Sequence, residues 1–456
     1  MKTNIFFLAG TLLSTVPAFC QDQLAGFKTS NFSGVESVFS NPANIADSRY
    51  KWDVSLLSIG ASVQNNVTML NFNSIGRTNI DSIIGNSPNK VNANALISVL
   101  GPSFMFNINS KTSLVFSSNV KVMVNINNLD GRLIQNINNN KGNETYPYNI
   151  SSGNNQTITI NGWRELGVSL GQVLVNNGRH FLKGGITLKY LGGIANTYLN
   201  ITNLNATVNV DPSNNAYMQT GATGNLAIGE GGISLDSFKA KELTQANGSG
   251  FGGDIGFVYE YRPDSSLYGK GGANKYKLRI SMALLEVGSI SYTANPAYTA
   301  GYNLNVVSSP GFYFNNLNGK NISQIKTFFD GDPNFKNTGS GTGSYSVSPP
   351  SNLQVGIDYH VQKGFYLNLN GQISLQAAAN FKNPSYSNSV TFTPRYEGSS
   401  LGLFVPVNYN SVSHFNAGVA FKLGPFFVGS GSVISTLLGT GKQADVYFGL
   451  QFGGLK

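Results

Sequence analysis

Every second residue between Tyr276 and Leu284 is oily. Tyr276, Leu278, Ile280, Met282 and Leu284 share one face of an extended chain, and Lys277, Arg279, Ser281 and Ala283 share the other. The same period of two runs through Val355, Ile357, Tyr359 and Val361, through Phe365, Leu367, Leu369, Ile373 and Leu375, and through Val446, Phe448, Leu450 and Phe452. Successive side chains point to opposite faces in a β-strand, so the pattern predicts strands with one apolar and one wet face.

A water-soluble sandwich and a membrane barrel both use such strands, and composition separates them. Only 11% of the residues are charged, against about 25% in an ordinary soluble domain. The wet face is made of Asn, Ser, Gln, Gly and Tyr, where a soluble sandwich would set many Lys and Glu toward water; the 456 residues include 53 Gly, 29 Phe and 21 Tyr. Beyond the first twenty residues no stretch reaches the ~18 consecutive apolar residues of a transmembrane helix. A barrel strand needs only about ten residues of alternation between turns. In hydrocarbon each backbone N–H and C=O requires an internal partner, so strands can cross only as a closed, edge-free barrel.

Fourteen runs fit that description, near residues 50–64, 98–109, 112–127, 162–175, 180–195, 250–262, 276–292, 351–362, 364–379, 387–397, 400–409, 414–422, 425–433 and 444–454. The sequence therefore predicts an all-β fold, a single transmembrane antiparallel β-barrel of about fourteen strands. With the N-terminus in the periplasm, the long connections 65–97, 128–161, 196–249 and 293–350 face outward and most tight turns face inward, as an outer-membrane barrel requires. Two connections resist the division: 263–275 is long for the inward set, and strict alternation puts the tight Lys363-Gly364 outward. Trp52 and Trp163, near strand ends, suit interfacial belts or core positions.

Lys2, the apolar stretch Ile5 to Val16 and Ala18-Phe19-Cys20 read as a secretion signal cleaved before Gln21. Phe19 argues against a lipid-modified Cys20, and without Cys20 the mature chain has no thiol for a disulfide, a metal site or a nucleophile. The expected organisation is a signal at 1–20, an N-terminal periplasmic arm at 21–49 and the barrel at 50–456. Within the arm, Asn41-Pro42-Ala43 imposes a local shape: Pro42 suits the first position of a helical turn, Asn41 its cap, and Asn44 to Asp47 complete it. About 29 residues at roughly 3.3 Å each reach well into a membrane some 30 Å thick. The arm is thus read as a hatch that enters the barrel, with Asn41, Asn44 and Asp47 bonding to the wall and Arg49 a partner for a lumen carboxylate; a surface cap before the first strand is the alternative.

The segment "VFSNPANIADSRY" resembles the Asn-Pro-Ala hatch of the outer-membrane long-chain fatty-acid transporter superfamily. "GDIGFVYEYRPD", "YKLRISMALLEVGSISY", "TPRYEGSSLGLFVPVNYN" and "LGPFFVGSGSVISTLLGTGKQADVYFGLQFG" are together similar to an uncharacterised family of Bacteroidota outer-membrane β-barrels, a domain of unknown function. The likeness extends over nearly the whole mature chain and implies a barrel in the cell outer membrane, with no assigned activity. Many barrels end on an aromatic residue, whereas here the last one is Phe452. Only the hatch aligns with the transporter superfamily, so none of its ligand-binding residues is carried over.

The register opposite the oily faces assigns Lys121, Glu165, Lys189, Lys277, Arg279, Asp358, His360, Asn368, Asn370 and Lys422 to the lumen. His180, His360 and His414 lack metal-ligand spacing, and no nucleophile motif accompanies them, so neither an enzyme nor a metal or other cofactor is expected. "GKGGANK" at 269–275 has the wrong spacing for a phosphate loop and reads as a turn. Two prolines, Pro394 and Pro406, fall in one hairpin, where each removes a ladder donor and a bulge is expected. The net charge of +9 is dispersed; outer-membrane lipid, lipopolysaccharide or an anionic solute are the expected electrostatic partners, and nucleic acid is not. Two functions remain: passage of a small hydrophobic or amphipathic solute, or a non-transporting partner barrel within an outer-membrane secretion or assembly complex. A continuous path past the arm would favour the first; a sealed lumen with an apolar patch on loops or lipid face would favour the second.

The face assignment makes a direct prediction. Ile280→Arg and Leu369→Arg should each cost roughly 2–4 kcal/mol of folding stability in bilayers if these positions lie near the midplane. Neutral behaviour of both in equilibrium unfolding would invert the faces.

Overall fold

The computed structural model describes residues 24–70, 90–138, 145–153, 155–234, 246–263, 275–377 and 380–456. The fold is a closed antiparallel barrel of fourteen strands preceded by a short N-terminal segment. In wall order the strands are Tyr50–Asn65; Val91–Leu100 continued by Ser103–Asn107; Thr112–Leu129; Gln156–Asn176; His180–Val210; Gly248–Tyr261; and Leu278–Thr293. The second half follows with Ser344–Val347 continued by Asn352–Gln362; Phe365–Ser374; Ser389–Glu397; Leu401–Phe404 continued by Val407–Asn410; His414–Ala417 continued by Val419–Leu423; Phe426–Ser430; and Gln443–Leu455. The last pairs with the first from Tyr50 opposite Leu455 to Gln64 opposite Gln443, so no edge is left.

The wall alternates as period-two strands in lipid must. Ile280, Met282, Ile357, Leu369, Phe421 and Phe448 are exposed on the outside, while Asp53, Ser55, Asp358, Asn368 and Gln451 are buried within. The rhythm breaks at the start of the seventh strand. Tyr276, read as oily-face, turns inward and is buried, its hydroxyl 2.5 Å from Asp358 Oδ2; Lys277 lies over the exposed Tyr359 ring, 4.6 Å from its centroid, and donates to the Val361 carbonyl. Trp52 is half-exposed, but Trp163 is a lumen residue, 2% exposed, donating its indole N–H to Glu165 Oε1 at 2.7 Å. Lys363-Gly364 is not outward, and the apparent exception is a miscount: the turn follows the eighth run, joins the eighth and ninth strands, and so lies on the side of the termini with the other tight turns. Most of the long 263–275 connection, including most of "GKGGANK", lies outside the described residues, as does the secretion signal.

The prolines interrupt the ladder. The eleventh strand stops at Phe404 and resumes at Val407, and the twelfth breaks at Gly418, while Val405 N–H reaches the Pro394 carbonyl (3.1 Å) and Gly418 N–H the Pro406 carbonyl (2.9 Å). Each proline keeps its acceptor while losing its donor, which is the signature of a bulge.

Beyond the membrane the 31-residue strand His180–Val210 is far longer than the ~10 residues a crossing needs. Its outer half carries Thr223–Gly232, Ala216–Gln219 and Tyr148–Ser152, and Ala300–Asn305, Phe335–Ser340 and Gly311–Tyr313 add to these. Helices Gly131–Ile137 and Ile322–Gly331 close this outer sheet, the second by a capping box in which Asn321 and Gln324 bond each other's backbone N–H. Its core is apolar and aromatic: Phe329 stacks on Phe335 at 4.0 Å and meets Tyr302 edge-on at 5.4 Å. Phe329→Ala should cost about 3–5 kcal/mol locally. Limited proteolysis should then cut the outer sheet while the barrel keeps its compact, heat-modifiable migration in gels; loss of both together would show that the sheet does not fold as a separate layer.

Candidate functional site

Residues 24–49 lie inside the wall and form an inner plug. They are short 3₁₀ turns, Phe27–Thr29, Gly34–Phe39 and Pro42–Ile45. The composition dictates them, because Ser and Thr hydroxyls bond back to carbonyls three residues earlier: Thr29 to Gly26, Ser33 to Ser30, Ser37 to Gly34 and Ser40 to Ser37, at 2.7–3.0 Å. Asn41 caps the last turn, its Oδ1 accepting from Ala43 N–H at 2.9 Å.

Each turn has its own purchase on the wall. Phe27 stacks on Phe427 at 4.2 Å and meets Phe404 edge-on, and the Tyr447 hydroxyl donates to the Ala25 carbonyl. Glu397 accepts from Ser30 Oγ (2.6 Å) and from Asn31 N–H and Nδ2 (3.1 and 2.6 Å), and Asp53 accepts from Val35 N–H at 2.7 Å. Asn41 Nδ2 bridges the Phe257 and Met282 carbonyls of the sixth and seventh strands, both at 3.1 Å. The Asn-Pro-Ala step fits there because the facing wall positions are Gly171, Gly185 and Gly256, where a β-carbon would strike Ile45, the Pro42–Ala43 peptide and Asn41. Asn44 does not reach the wall; its Nδ2 contacts Ser37 and Ser40 at 3.4 Å within the plug. Asp47 is held by Lys275 at 2.6 Å and Arg262 at 2.9 Å. Burial alone would raise the Asp47 pKa, but Lys275, Lys183 and Arg262 together draw it below the usual carboxylate range. Arg49 finds no carboxylate within 4 Å among the described residues.

Of the ten wall residues read from register, three meet at mid-barrel. Lys121 Nζ lies 2.9 Å from Glu165 and 2.6 Å from Glu286; Lys189 Nζ lies 3.4 Å from Glu165, 3.0 Å from Asp254 and 3.1 Å from Glu286. The sequence reading missed Glu286 and Asp254, although a lone acid inside the oily run "ALLEVGS" is itself a signal. Glu286 turns inward because its left-handed backbone, φ 60°, inserts a bulge, with its N–H on Asp254 Oδ1. Asp358 pairs bidentately with Arg395 at 2.6 and 2.7 Å, and Asn368 lies beside it. Arg279 donates to Asn31 of the plug at 3.2 Å, and Lys422 to the Ser399 and Gly424 carbonyls. Asn370 is half-buried opposite Gly356. The three histidines stay apart: His180 on Tyr259, His360 on the Lys363 carbonyl, and His414 exposed beside Tyr409.

A second plug closes the other end. The chain after Ser374 folds back into the barrel, and residues 382–387, around Asn383-Pro384, bond to five strands or their extensions. Ser385 exchanges bonds with Asn125; Ser387 Oγ accepts from Gln64 and Asn94; the Lys382 carbonyl accepts from Asn196; and Asn383 Oδ1 accepts from Ser348 N–H. Lys382 also sits over the Tyr345 and Tyr198 rings, and Phe381 packs edge-on to Tyr198. Between the plugs is a cavity of about 60 Å³ bordered by Leu24, Lys28, Glu36, Lys121, Glu286 and Tyr386.

Glu36 gives the inner plug a pH dependence. Burial, opposed by the Ser55 hydroxyl at 2.8 Å and reinforced by the negative Asp53, raises its pKa to about 8. Undocked, the carboxyl ionises near 4.5; docked, it keeps its proton to about 8. Docking is therefore unaffected below the lower value, weakens by up to roughly 1.4 kcal/mol per pH unit between the two, and stays weakened above. Single-channel conductance in planar bilayers should rise between about pH 4.5 and 8, and Glu36→Gln should flatten that rise. Deleting residues 24–46 should raise conductance at every pH while leaving a folded barrel; unchanged conductance with normal heat-modifiable migration would remove the plug from the pore.

No curated protein matches the sequence. Among solved structures, a FadL homologue of Pseudomonas aeruginosa is similar at 10% identity over 96% of this chain and 97% of that one, with a TM-score of 0.42. The toluene transporter TbuX of Ralstonia pickettii is similar at 10% identity over 96% and 99%, with a TM-score of 0.43. Residues 42–431, from the Asn-Pro-Ala turn to the thirteenth strand, match the family described as "Family of unknown function (DUF5723)", and the chain belongs to it.

Proposed function

We propose that this outer-membrane barrel takes up a small hydrophobic or amphipathic solute, captured first in its outer sheet and admitted past two plugs. One observation carries the reading. The outer sheet encloses a cavity of about 90 Å³ lined solely by Leu, Ile, Met and Phe side chains, among them Leu133, Leu199, Leu226, Phe312 and Phe329. A cavity without polar groups stays dry and accepts apolar molecules. Both plugs occupy the lumen and bond to its wall, so on this reading passage requires one or both to move. A second reading, a partner barrel, draws on the occupied lumen and on a lipid-side groove of about 640 Å³ walled by Phe104, Phe116, Leu166, Leu188, Tyr190 and Phe251.

Binding of a naphthalene fluorophore to the purified barrel separates the two. Leu226→Phe, which fills the cavity, should weaken binding at least tenfold, and Leu188→Ser, in the groove, should leave it unchanged. Saturable binding lost only in Leu188→Ser, or a stoichiometric protein co-purifying from native membranes and released by Leu188→Ser, would replace solute uptake with docking.

A further inference from the structure

The termini end of the barrel holds a second, smaller cavity between plug and wall, about 30 Å³, on the order of two water positions. Five cations line it, Arg49, Lys183, Arg262, Lys275 and Arg279, against two carboxylates, Asp47 and Glu260. Those two are already taken. Asp47 holds Lys275 and Arg262, and Glu260 holds Lys183 at 3.2 Å and also Arg262. The nearby Asp358 is committed to Arg395. Arg279 donates to the Asn31 amide oxygen and lies over the Tyr276 ring; Asp358 and Glu260 are near enough to act on its charge, but among the described residues neither forms an ion pair with it within 4 Å. Arg49 is 6% exposed, and its Nη1 is buried without a hydrogen-bond partner among the described residues. A guanidinium presents a fixed fork of donors suited to two oxygens at once, and a buried charge is normally paired. Of the serines on the same walls, Ser30, Ser33 and Ser37 already donate their hydroxyl protons to Glu397, the Ser30 carbonyl and the Gly34 carbonyl, while Ser48 accepts from Tyr50 N–H and can still donate.

We propose that this cavity binds one small oxyanion, a carboxylate or a phosphate, clamped between Arg49 and Arg279 where the plug meets the periplasmic mouth. The site does not rest on the proposed solute passage and would survive its failure. The cavity is too small for an acyl chain, so the ligand is a free ion or the head group of a larger molecule whose tail lies elsewhere. Because Arg49 and Ser48 belong to the plug segment and Arg279 to the wall, a bound anion ties one to the other.

The test uses the full-length barrel in nonionic detergent, at constant ionic strength set with sodium chloride. Inorganic phosphate and acetate should each raise the thermal midpoint saturably. Arg49→Gln and Arg279→Gln should each weaken the apparent affinity at least tenfold, with Arg49→Lys retaining part of it. Ser48→Asp, which supplies a carboxylate in place, should raise the midpoint without phosphate and abolish the phosphate response; this variant decides if Arg49→Gln does not fold. Octanoate equal to acetate identifies a free ion, and octanoate at least tenfold tighter identifies a head group; either supports the site. No saturable response to phosphate or acetate, or an equal response in Arg49→Gln and Arg279→Gln, overturns it.

Discussion

The pairing of Gln443–Leu455 with Tyr50–Asn65 is the contact on which everything else rests. Until that ladder forms, two strands present rows of unpaired N–H and C=O groups to hydrocarbon, which offers nothing to bond with. Once it forms, the outside needs only apolar side chains, and the sequence supplies them at every second position. The inside is then obliged to solve the opposite problem, since fourteen strands enclose more space than their own polar side chains fill.

Two devices fill that space. Lysines 121 and 189 among Glu165, Asp254 and Glu286 place compensating charges across mid-barrel, and two peptide segments built on Asn-Pro steps occupy the ends. Buried ion pairs are not strong stabilisers by themselves, because desolvation offsets their attraction; removal of one partner is what is costly, about 3–5 kcal/mol. Their value here is positional. They fix the lumen geometry against which the plug registers, while the plug itself adds hydrogen bonds, small-residue slots and the ion pairs of Asp47 with Lys275 and Arg262.

What could be read from the sequence follows from range. Each of the fourteen runs coincides with a barrel strand because alternation is local: ten residues suffice to show it. The inner Asn-Pro-Ala turn was visible for the same reason. Tyr276 was not, since a strand end gives no local sign of whether it is wetted by solvent or by a lumen charge; for Trp163, well inside the strand Gln156–Asn176, the sequence leaves belt and core both open and the structure shows it buried. Glu286 escaped because its bulge shifts the register just where the oily run appears to continue. The outer plug is not legible: the runs 364–379 and 387–397 leave its residues 380–386 as a mere connection, because its partners Gln64, Asn94 and Asn125 lie more than 250 residues away and no local pattern announces them.

The inner plug also touches both sides of the seam. Val35 binds Asp53 of the first strand; Gln451 of the last strand donates to Asp53 and lies beside the Phe32 carbonyl; and Tyr447, also of the last strand, grips Ala25. First and last strands are separated by nearly the whole chain, the slowest kind of contact to form. A segment attached directly to strand one that already offers bonds to strand fourteen acts as a template for that meeting. Filling the pore and shutting the cylinder are then a single step of biogenesis, and a chain lacking its first turns would be left open along its length for longer before it seals.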